Sequence, residues 1–277
     1  MAKDKEIREV LRAQLRDGRF RMADIDPDST PGLKKRKKAR KEMEAAHAEL
    51  FGLQERLFAE HRRAVLIVLQ SMDTGGKDGT ITHVMGHLNP QGVHITTFKQ
   101  PTPEEKRHNF LWRIRKALPE PGVVGIFNRS HYEDVLIARV HDLAKPPVIE
   151  QRYKQINAFE KELVRSGTKI IKFALHISYD EQRQRLLDRL NDPEKHWKFH
   201  ATDLAERAYW DDYMSAFSIA ITNCSTDWAP WYVIPADDKA YRDWAVSKIV
   251  SETLDEMNPK YPHPRLDIPR LKKRLKD

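Results

Sequence analysis

Short, continuous apolar runs recur along the chain and alternate with longer stretches in which apolar and polar residues follow a helical period. A strand that is apolar at almost every position is typical of a parallel sheet covered on both faces. We predict strands at 64–69, 93–98, 123–127, 169–175 and 231–234. Because helical stretches lie between these runs, the pattern predicts an α/β fold built on a central five-stranded parallel sheet.

The stretches between the strands predict helices, the first of which carries apolar residues at spacings of three, four and seven. These helices are expected at 34–63, 81–88, 104–118 and 149–166. The interval 179–223 breaks the alternation, because it is charged, helical in pattern and interrupted at Pro193. We expect it to form a helical hairpin that acts as a lid over bound phosphates. The predicted organisation is a basic arm and helix at 1–50, then one domain at 51–277 that contains this lid.

Length and composition fit a globular protein with a single large domain, since 277 residues with 40% hydrophobic side chains can bury a substantial core. The 49 Lys and Arg residues exceed the 41 Asp and Glu residues by 8, which points to a polyanionic partner.

The single cysteine, Cys224, excludes an internal disulfide and a multi-cysteine zinc site. With a charged start and no apolar run of membrane length, the sequence predicts a cytoplasmic protein that makes no membrane contact.

The turn after the first strand is rich in glycine and leads into a predicted helix. A strand, a glycine-rich turn, a lysine and a helix N-terminus together are typical of a phosphate-binding loop. The residues expected to cradle phosphates are Thr74, Gly75, Gly76, Lys77, Asp78, Gly79 and Thr80. The match is incomplete, because Ser71 replaces the first glycine and Asp78 replaces the usual Ser or Thr. The alternative is a strand-to-helix turn without a ligand.

Two acidic residues of this turn favour different roles. The carboxylate of Asp73 would be repelled by bound phosphates unless a divalent cation lay between them, so Asp73 predicts magnesium. Asp78 is better explained as a cap that accepts a hydrogen bond from a backbone N–H at the start of the helix.

Charged residues also follow the second and third strands. Arg129, Glu133 and Asp134 come after the third strand, where open α/β sheets bind ligands. Arg129 could stabilise a transferred phosphoryl group, and either acid could hold a metal or orient an acceptor. The alternative is a capped helix start in which Asp134 pairs with Arg129. After the second strand, Lys99 is well placed for an anion, and Arg113 is equally compatible with a structural role.

Four separated motifs make the sequence distinctive. They read QSMDTGGKDG at 70–79, FKQP at 98–101, FNRSHYEDV at 127–135 and DPEKHWK at 192–198. Together they resemble the family-2 polyphosphate kinases, and the resemblance extends over about 50–259. The Tyr132-Glu133-Asp134 triplet resembles the class III branch, which phosphorylates both AMP and ADP.

The resemblance implies a three-layer α/β/α P-loop kinase fold and transfer of the terminal phosphoryl group of inorganic polyphosphate to AMP or ADP, forming ADP or ATP. It implies Mg²⁺ as the cofactor, with Mn²⁺ as the alternative ion, guanine nucleotides as further acceptors, and a homodimer or homotetramer. Asp73 and Asp134 would organise the metal and the acceptor phosphate, and Lys77 and Arg129 would stabilise the transferring group. Glu133 marks the class. The residues expected at the polyphosphate path and lid are Lys99, Arg113, Arg189, Lys195 and Lys198.

Two other functions remain open at this point. An ATP-dependent nucleoside monophosphate kinase would share the fold but would not need a basic groove. A nucleic-acid-binding P-loop protein would use the basic runs 34–41 and 270–276, but the sequence contains no helix-turn-helix, zinc-finger or RNP motif. We therefore expect no nucleic-acid partner, and both basic runs are candidate walls of a polyphosphate groove.

Overall fold

The structure, a computed structural model, describes residues 6–263 and 265–276, so the first five residues of the predicted arm lie outside it. All five predicted strands are present in one sheet. They are β1 (Ala64–Ser71), β2 (Val93–Thr97), β3 (Val124–Asn128), β4 (Thr168–His176) and β5 (Trp231–Pro235). Every pair of neighbours is parallel, and the strand order is β2-β3-β1-β4-β5. The predicted five-stranded parallel sheet is confirmed.

The strand order decides where a ligand can bind. β1 lies at the centre of the sheet, between β3 and β4. The chain leaves β1 toward one edge and returns past it to build the other edge, which opens a crevice at the carboxyl end of β1. The residues that follow β1 and β3 meet at this crevice.

Helices cover both faces of the sheet. They are α1 (Ile7–Leu11), α2 (Ala39–Glu60), α3 (Lys77–His83), α4 (Trp112–Lys116), α5 (Ile137–Val140), α6 (Pro146–Arg165), α7 (Tyr179–Asn191), α8 (Ala201–Glu206), α9 (Trp210–Cys224), α10 (Lys239–Met257) and α11 (Ile268–Arg274). Alternate residues of β1 enter different cores, since Ile67 packs with α2 and α10 whereas Val68 packs with α6 and α9. This confirms the three-layer α/β/α architecture. None of these helices is long and apolar enough to cross a membrane.

Some predicted boundaries differ from the structure. The helix expected at 81–88 begins four residues earlier, as α3 (Lys77–His83), because its N-cap is Gly76, and a separate 3₁₀ turn follows at Met85–His87. The helix expected at 104–118 is wrong: a 3₁₀ turn at Glu105–Arg107 is separated from α4. The separation arises because the side chain of Asn109 accepts a hydrogen bond from the backbone N–H of Leu111 at 2.9 Å, which starts a new turn. The boundary predicted between residues 50 and 51 falls inside α2, which packs along α10 as one element.

The interval 179–223 is not a simple hairpin. It contains α7, a 3₁₀ turn at Pro193–Lys198, α8 and α9. α9 buries Ala216, Phe217 and Ala220 in the core, so it belongs to the helical layer. The segment 187–209, which we call the lid segment, carries exposed apolar side chains, of which Trp197 is 74% exposed.

Candidate active site

The turn that follows β1 curves tightly because two of its residues adopt left-handed backbone conformations. Thr74 has a φ of 62° and Gly76 has a φ of 103°. A Cβ atom added to Gly75 would lie 2.5 Å from the Ser71 side chain, and one added to Gly76 would collide with the guanidinium of Arg242. The glycines are therefore required by close packing as well as by backbone conformation. We call residues 72–80 the phosphate loop.

Lys77 lies inside the curve of this loop. Its Nζ donates to the Ser71 hydroxyl at 2.8 Å and to the carbonyl oxygens of Ser71 and Met72 at 3.1 and 3.3 Å. Burial lowers the pKa of the Lys77 ammonium, and the positive charge of Arg129 lowers it further. Ser71 is thus a direct partner of the lysine at the position where the P-loop pattern has glycine.

Arg129 connects the end of β3 to the phosphate loop. Its backbone is left-handed, with a φ of 61°, and its Nη2 donates to Asp73 Oδ1 at 2.8 Å. Its Nη1 lies 4.0 Å from Glu133 Oε2, and Gln70 fixes the other oxygen of Glu133 with a 2.9 Å hydrogen bond. A guanidinium between two carboxylates is thereby held beside Lys77, with 39% of its side chain exposed.

For the other two acids, the structure contradicts the cap predicted for Asp78 and the alternative in which Asp134 pairs with Arg129. Asp78 does not cap α3, because Gly76 occupies the cap position; Asp78 accepts a 2.7 Å hydrogen bond from Asn128 instead. Asp134 does not pair with Arg129. Its carboxylate lies 3.7 Å from Arg152 Nη1, and burial raises its pKa despite the opposing effect of that arginine.

Asp134 forms part of the wall of a cavity of about 190 Å³. The other residues around this cavity are Pro101, Glu105, Lys106, His108, Phe110, Arg113 and Arg152. An adjoining cavity of about 460 Å³ shares His108, Phe110 and Arg152. We call these two neighbouring cavities the cleft. Its walls carry cationic and aromatic side chains, but also two carboxylates that face the arginines: Glu105 lies 3.6 Å from Arg113, and Asp134 lies 3.7 Å from Arg152.

Lys99 and Arg113, predicted as anion-binding residues, are held on one side of this cleft. Arg113 is buried, donates to the Lys99 carbonyl oxygen at 2.8 Å and lies 5.3 Å from the centre of the Phe98 ring. Lys99 itself is exposed. Arg113 therefore makes a structural hydrogen bond to the backbone and also lines the cavity. The structural role and the anion-binding role that the sequence left open are compatible with each other.

The predicted lid residues are not gathered at the phosphate loop. Arg189 donates to the Lys198 carbonyl oxygen at 3.1 Å and lies 3.6 Å from Asp203. Lys195 pairs with Asp192 at 2.6 Å on the exposed 3₁₀ turn, and the Lys198 ammonium lies 4.9 Å from the Trp197 ring. All of these contacts join residues within the lid segment, which includes the C-terminal end of α7.

Two residues of α7 that sequence reasoning missed do touch the phosphate loop. Gln182 donates to the Asp73 carbonyl oxygen at 3.0 Å, and Arg185 donates to the Thr74 carbonyl oxygen at 3.0 Å. Arg185 also donates to the Ala236 carbonyl oxygen at 2.6 Å. The sequence feature that could have identified both residues is their three-residue spacing, which places the two side chains on one face of the helix.

Arg242 of α10 also contacts the phosphate loop. It is 3% exposed, packs against Gly76 and Gly79, and donates to Asp243 at 2.8 Å through Nε. Burial lowers the pKa of Arg242 against the effect of that carboxylate. Arg242 thus supports the phosphate loop by packing against two of its glycines.

Comparisons with known proteins identify the family of this chain. The sequence model of the family Polyphosphate kinase 2 matches residues 33–262. The AMP/ADP-polyphosphate phosphotransferase of Meiothermus ruber is 49% identical, over 90% of this chain and 93% of that protein. The ADP-polyphosphate phosphotransferase of Rhodopseudomonas palustris is 46% identical, over 77% and 78%.

A solved structure shows the same architecture. The crystal structure of Polyphosphate Kinase 2 from Arthrobacter aurescens TC1 superposes with a TM-score of 0.94 at 47% identity and covers 98% of this chain and 97% of that one. Because the family model covers most of the sequence and both relatives are more than 30% identical over more than two thirds of the chain, the chain belongs to the polyphosphate kinase 2 family.

Proposed function

We propose that this chain, a polyphosphate-dependent nucleotide kinase by its family, transfers the terminal phosphoryl group of inorganic polyphosphate directly to AMP and to ADP. One observation carries the proposal. Lys77 and Arg129 follow β1 and β3 at the carboxyl end of the sheet, and Asp134, which also follows β3, lines a cleft that contains Arg113 and Arg152. Similar proteins whose names include AMP/ADP-polyphosphate phosphotransferase support both acceptors.

The reaction needs positioning and charge stabilisation more than covalent chemistry from the protein, because phosphoryl transfer passes through a loose transition state. In our proposal Lys77 and the backbone N–H groups of the phosphate loop bind the phosphates. Arg129 stabilises the charge on the transferred group, since Asp73 and Glu133 hold its guanidinium in place before the substrate arrives. His131 is buried, and its Nε2 lies 3.3 Å from Glu160 Oε1. This supports direct transfer without a phosphohistidine.

We assign the acceptor nucleotide to the cleft at Asp134. Arg113 and Arg152 line its inner part, and arginines bind phosphate oxygens through paired N–H donors. Phe110 lines both cavities, with Arg152 over its ring at 5.4 Å, and we propose that the purine base binds next to this pair. We also propose guanine nucleotides as further acceptors.

Asp73 and Asp134 are partly exposed carboxylates, which are oxygen ligands of the kind that a divalent cation of the magnesium type takes. Among residues 6–263 and 265–276, no group of three or more His, Cys, Asp or Glu side chains could form a cage for a metal ion. Mg²⁺ is typically held by one or two carboxylates together with substrate phosphates and water, and Mn²⁺ also prefers oxygen ligands. Asp73 and Asp134 would hold the ion, which would supply positive charge to the phosphates when bound.

The exposed lysines provide a path for the long polyanion. Lys99 and Lys195 are exposed and Lys198 is partly exposed, and Arg189 belongs to the same lid segment as the latter two. We propose that these residues contact the polyphosphate chain when it is bound. Polyphosphate carries about one negative charge per unit, so binding to such a surface releases counterions as binding to nucleic acid does. We propose a homodimer or homotetramer as the working form, and a reducing, cytoplasmic environment because the only cysteine is free and buried.

Product analysis tests the proposal. Purified protein is incubated with Mg²⁺, long-chain polyphosphate and either AMP or ADP, and nucleotides are separated by chromatography. We expect ADP and ATP to form only when polyphosphate is present. Phosphorylation of AMP that requires ATP and ignores polyphosphate would contradict the proposal and favour an ATP-dependent monophosphate kinase.

A matched pair of variants ties the reaction to the site. Arg129→Ala removes the guanidinium held by Asp73, and Arg115→Ala removes a guanidinium that pairs with Glu162 at a similar distance of 2.8 Å, away from the phosphate loop. We expect Arg129→Ala to lower kcat on the order of 10²-fold or more and Arg115→Ala to leave it unchanged. Equal effects would remove Arg129 from the mechanism.

A further inference from the structure

A buried cluster of polar side chains lies below the site, between the sheet and α6. Its centre is Lys172, a lysine in the middle of β4 whose side chain has no exposed surface. Its Nζ donates to Glu160 Oε2 at 2.6 Å, to the Tyr132 hydroxyl at 2.8 Å and to the Cys224 carbonyl oxygen at 2.7 Å. A lysine ammonium has three N–H donors, so each of them has an acceptor.

Glu160 completes the cluster from α6 and is equally buried. Its Oε1 accepts a hydrogen bond from the Tyr132 hydroxyl at 2.8 Å and lies 3.3 Å from His131 Nε2. Burial alone would raise the pKa of Glu160, but Lys172 and His131 outweigh burial and hold the pKa below its ordinary value. The cluster therefore contains one cation and one anion, bridged by a phenol that both donates and accepts.

The cluster holds one half of a short turn whose other half faces the site. His131–Asp134 is a single 3₁₀ turn, in which His131 and Tyr132 are 1% and 0% exposed. The side chains of Glu133 and Asp134 are 22% and 21% exposed and contact the arginines of the site. Because the turn is closed by hydrogen bonds three residues apart, fixing its buried half also fixes the direction of the two carboxylates.

Stability alone does not explain this ion pair. Removing two charges from water is costly, and apolar residues of similar volume in place of a buried ion pair often leave a protein equally or more stable. The neighbours of Lys172 include the rings of Tyr132 and Trp231, with centres 5.2 and 5.4 Å from its Nζ. Position 172 would therefore suit an apolar side chain, yet it carries a charge directed at the 131–134 turn.

We propose that Lys172 and Glu160 are positioning residues for phosphoryl transfer, which hold the 131–134 turn so that its two carboxylates stay at the carboxyl end of the sheet. The proposal rests on the proposed function in one respect, namely the roles given to Glu133 and Asp134. Neither Lys172 nor Glu160 touches substrate; they act through Tyr132 and His131.

Three variants test the proposal by separating stability from turnover. Lys172→Met alone leaves the Glu160 carboxylate buried without its cation, and we expect it to lower Tm. The double variant Lys172→Met/Glu160→Gln removes both charges at similar volume, and we expect its Tm to recover. Its kcat should stay about 10- to 100-fold below wild type, with the KM for polyphosphate within about twofold, because only the placement of the turn has changed. Tyr132→Phe, which keeps the ring and removes the bridging hydroxyl, should lower kcat by about tenfold or more.

Leu254→Ala is the control for a purely structural effect, because it empties a fully buried position on α10 in the other helical layer. We expect it to lower Tm and to leave kcat unchanged at an assay temperature well below its Tm. Recovery of kcat together with Tm in the double variant would overturn the proposal. If the double variant does not fold, wild-type kcat in Tyr132→Phe would overturn it equally.

A crystal structure of the double variant, or of Tyr132→Phe, gives a result that does not depend on the reaction. We expect the hydrogen bond between Gln70 Nε2 and Glu133 Oε1, 2.9 Å in the wild-type chain, to lengthen beyond hydrogen-bond distance. An unmoved Glu133 would overturn the positioning role. Absence of polyphosphate-dependent turnover in the wild type would instead refute the proposed function and leave this structural test valid.

Discussion

Asp73→Asn is the substitution that most sharply separates the chemistry of the site from its stability. The carboxylate of Asp73 accepts a 2.8 Å hydrogen bond from Arg129, whose other carboxylate neighbour, Glu133, is 4.0 Å away. The amide is nearly the same size but has no charge to hold the guanidinium and is a weak ligand for a divalent cation. We therefore expect Arg129 to shift toward Glu133 and away from Lys77.

The cost in stability should be small. The side chains of Asp73 and Arg129 are 29% and 39% exposed, and ion pairs this accessible to solvent contribute at most about 1 kcal/mol. For a chain of this size that corresponds to a Tm shift of roughly 3 °C or less. The cost in turnover should be much larger, since removing one electrostatic contact to a transition state lowers kcat on the order of 10²- to 10³-fold.

The assay measures polyphosphate-dependent formation of ATP from ADP at saturating Mg²⁺, together with Tm. Glu162→Gln is the matched control, because Glu162 pairs with Arg115 at the same 2.8 Å, near the end of α6 and away from the phosphate loop. It should leave kcat unchanged. An Asp73→Asn protein that turns over within about threefold of wild type would show that neither the pairing of Arg129 nor the charge at position 73 matters to the reaction.

Three further predictions concern the loop, the cysteine and the polyanion. Gly76→Ala should lower both Tm and kcat, because the residue has a φ of 103° and the new methyl group would collide with Arg242. Gly52→Ala, at an open position in the middle of α2, should instead raise the free energy of unfolding by up to about 1 kcal/mol. Thermal denaturation and kinetics of the two variants test this, and equal behaviour would contradict it. Burial raises the pKa of the Cys224 thiol to about 12, so a chromogenic thiol reagent at about pH 8 should react only after denaturation; prompt labelling of the native protein would show the thiol to be accessible. The KM for long-chain polyphosphate should rise with NaCl more steeply than the KM for ADP, because the longer polyanion releases more counterions, and parallel slopes in a salt titration would contradict this.

The sequence predicted the sheet well because a parallel strand buried on both faces reads as a continuous apolar run. β1 is buried from Ala64 to Gln70, and its run was recognisable without knowledge of its neighbours. The helix expected at 104–118 failed for a local reason, since the Asn109 side chain competes for a backbone N–H within an otherwise helical pattern. Strand length and burial are properties of one segment, whereas the exact course of a polar connection depends on individual hydrogen bonds.

The candidate site divides in the same way. Lys77 and Arg129 were recognisable because each follows a buried strand in a local motif. Gln182 and Arg185 were not, because the loop carbonyls that they bind lie 109 and 111 residues away along the chain. The strand that carries Lys172 was predicted, but the purpose of a charge within an apolar run was not visible until α6 brought Glu160 beside it.

The amino-acid sequence by itself determined the parallel sheet, the phosphate loop and the charged residues at the ends of β1 and β3, because each is written in contiguous residues with a definite periodicity or spacing. The tertiary structure decided which of those charges pair. Arg129 pairs with Asp73 and lies near Glu133, whereas Asp134 lies near Arg152. These pairs form because the β2-β3-β1-β4-β5 order and the packing of α6 and α7 set the distances between segments that are remote in sequence. Electrostatic interactions depend on those distances and on burial, and neither is fixed until the layers are packed.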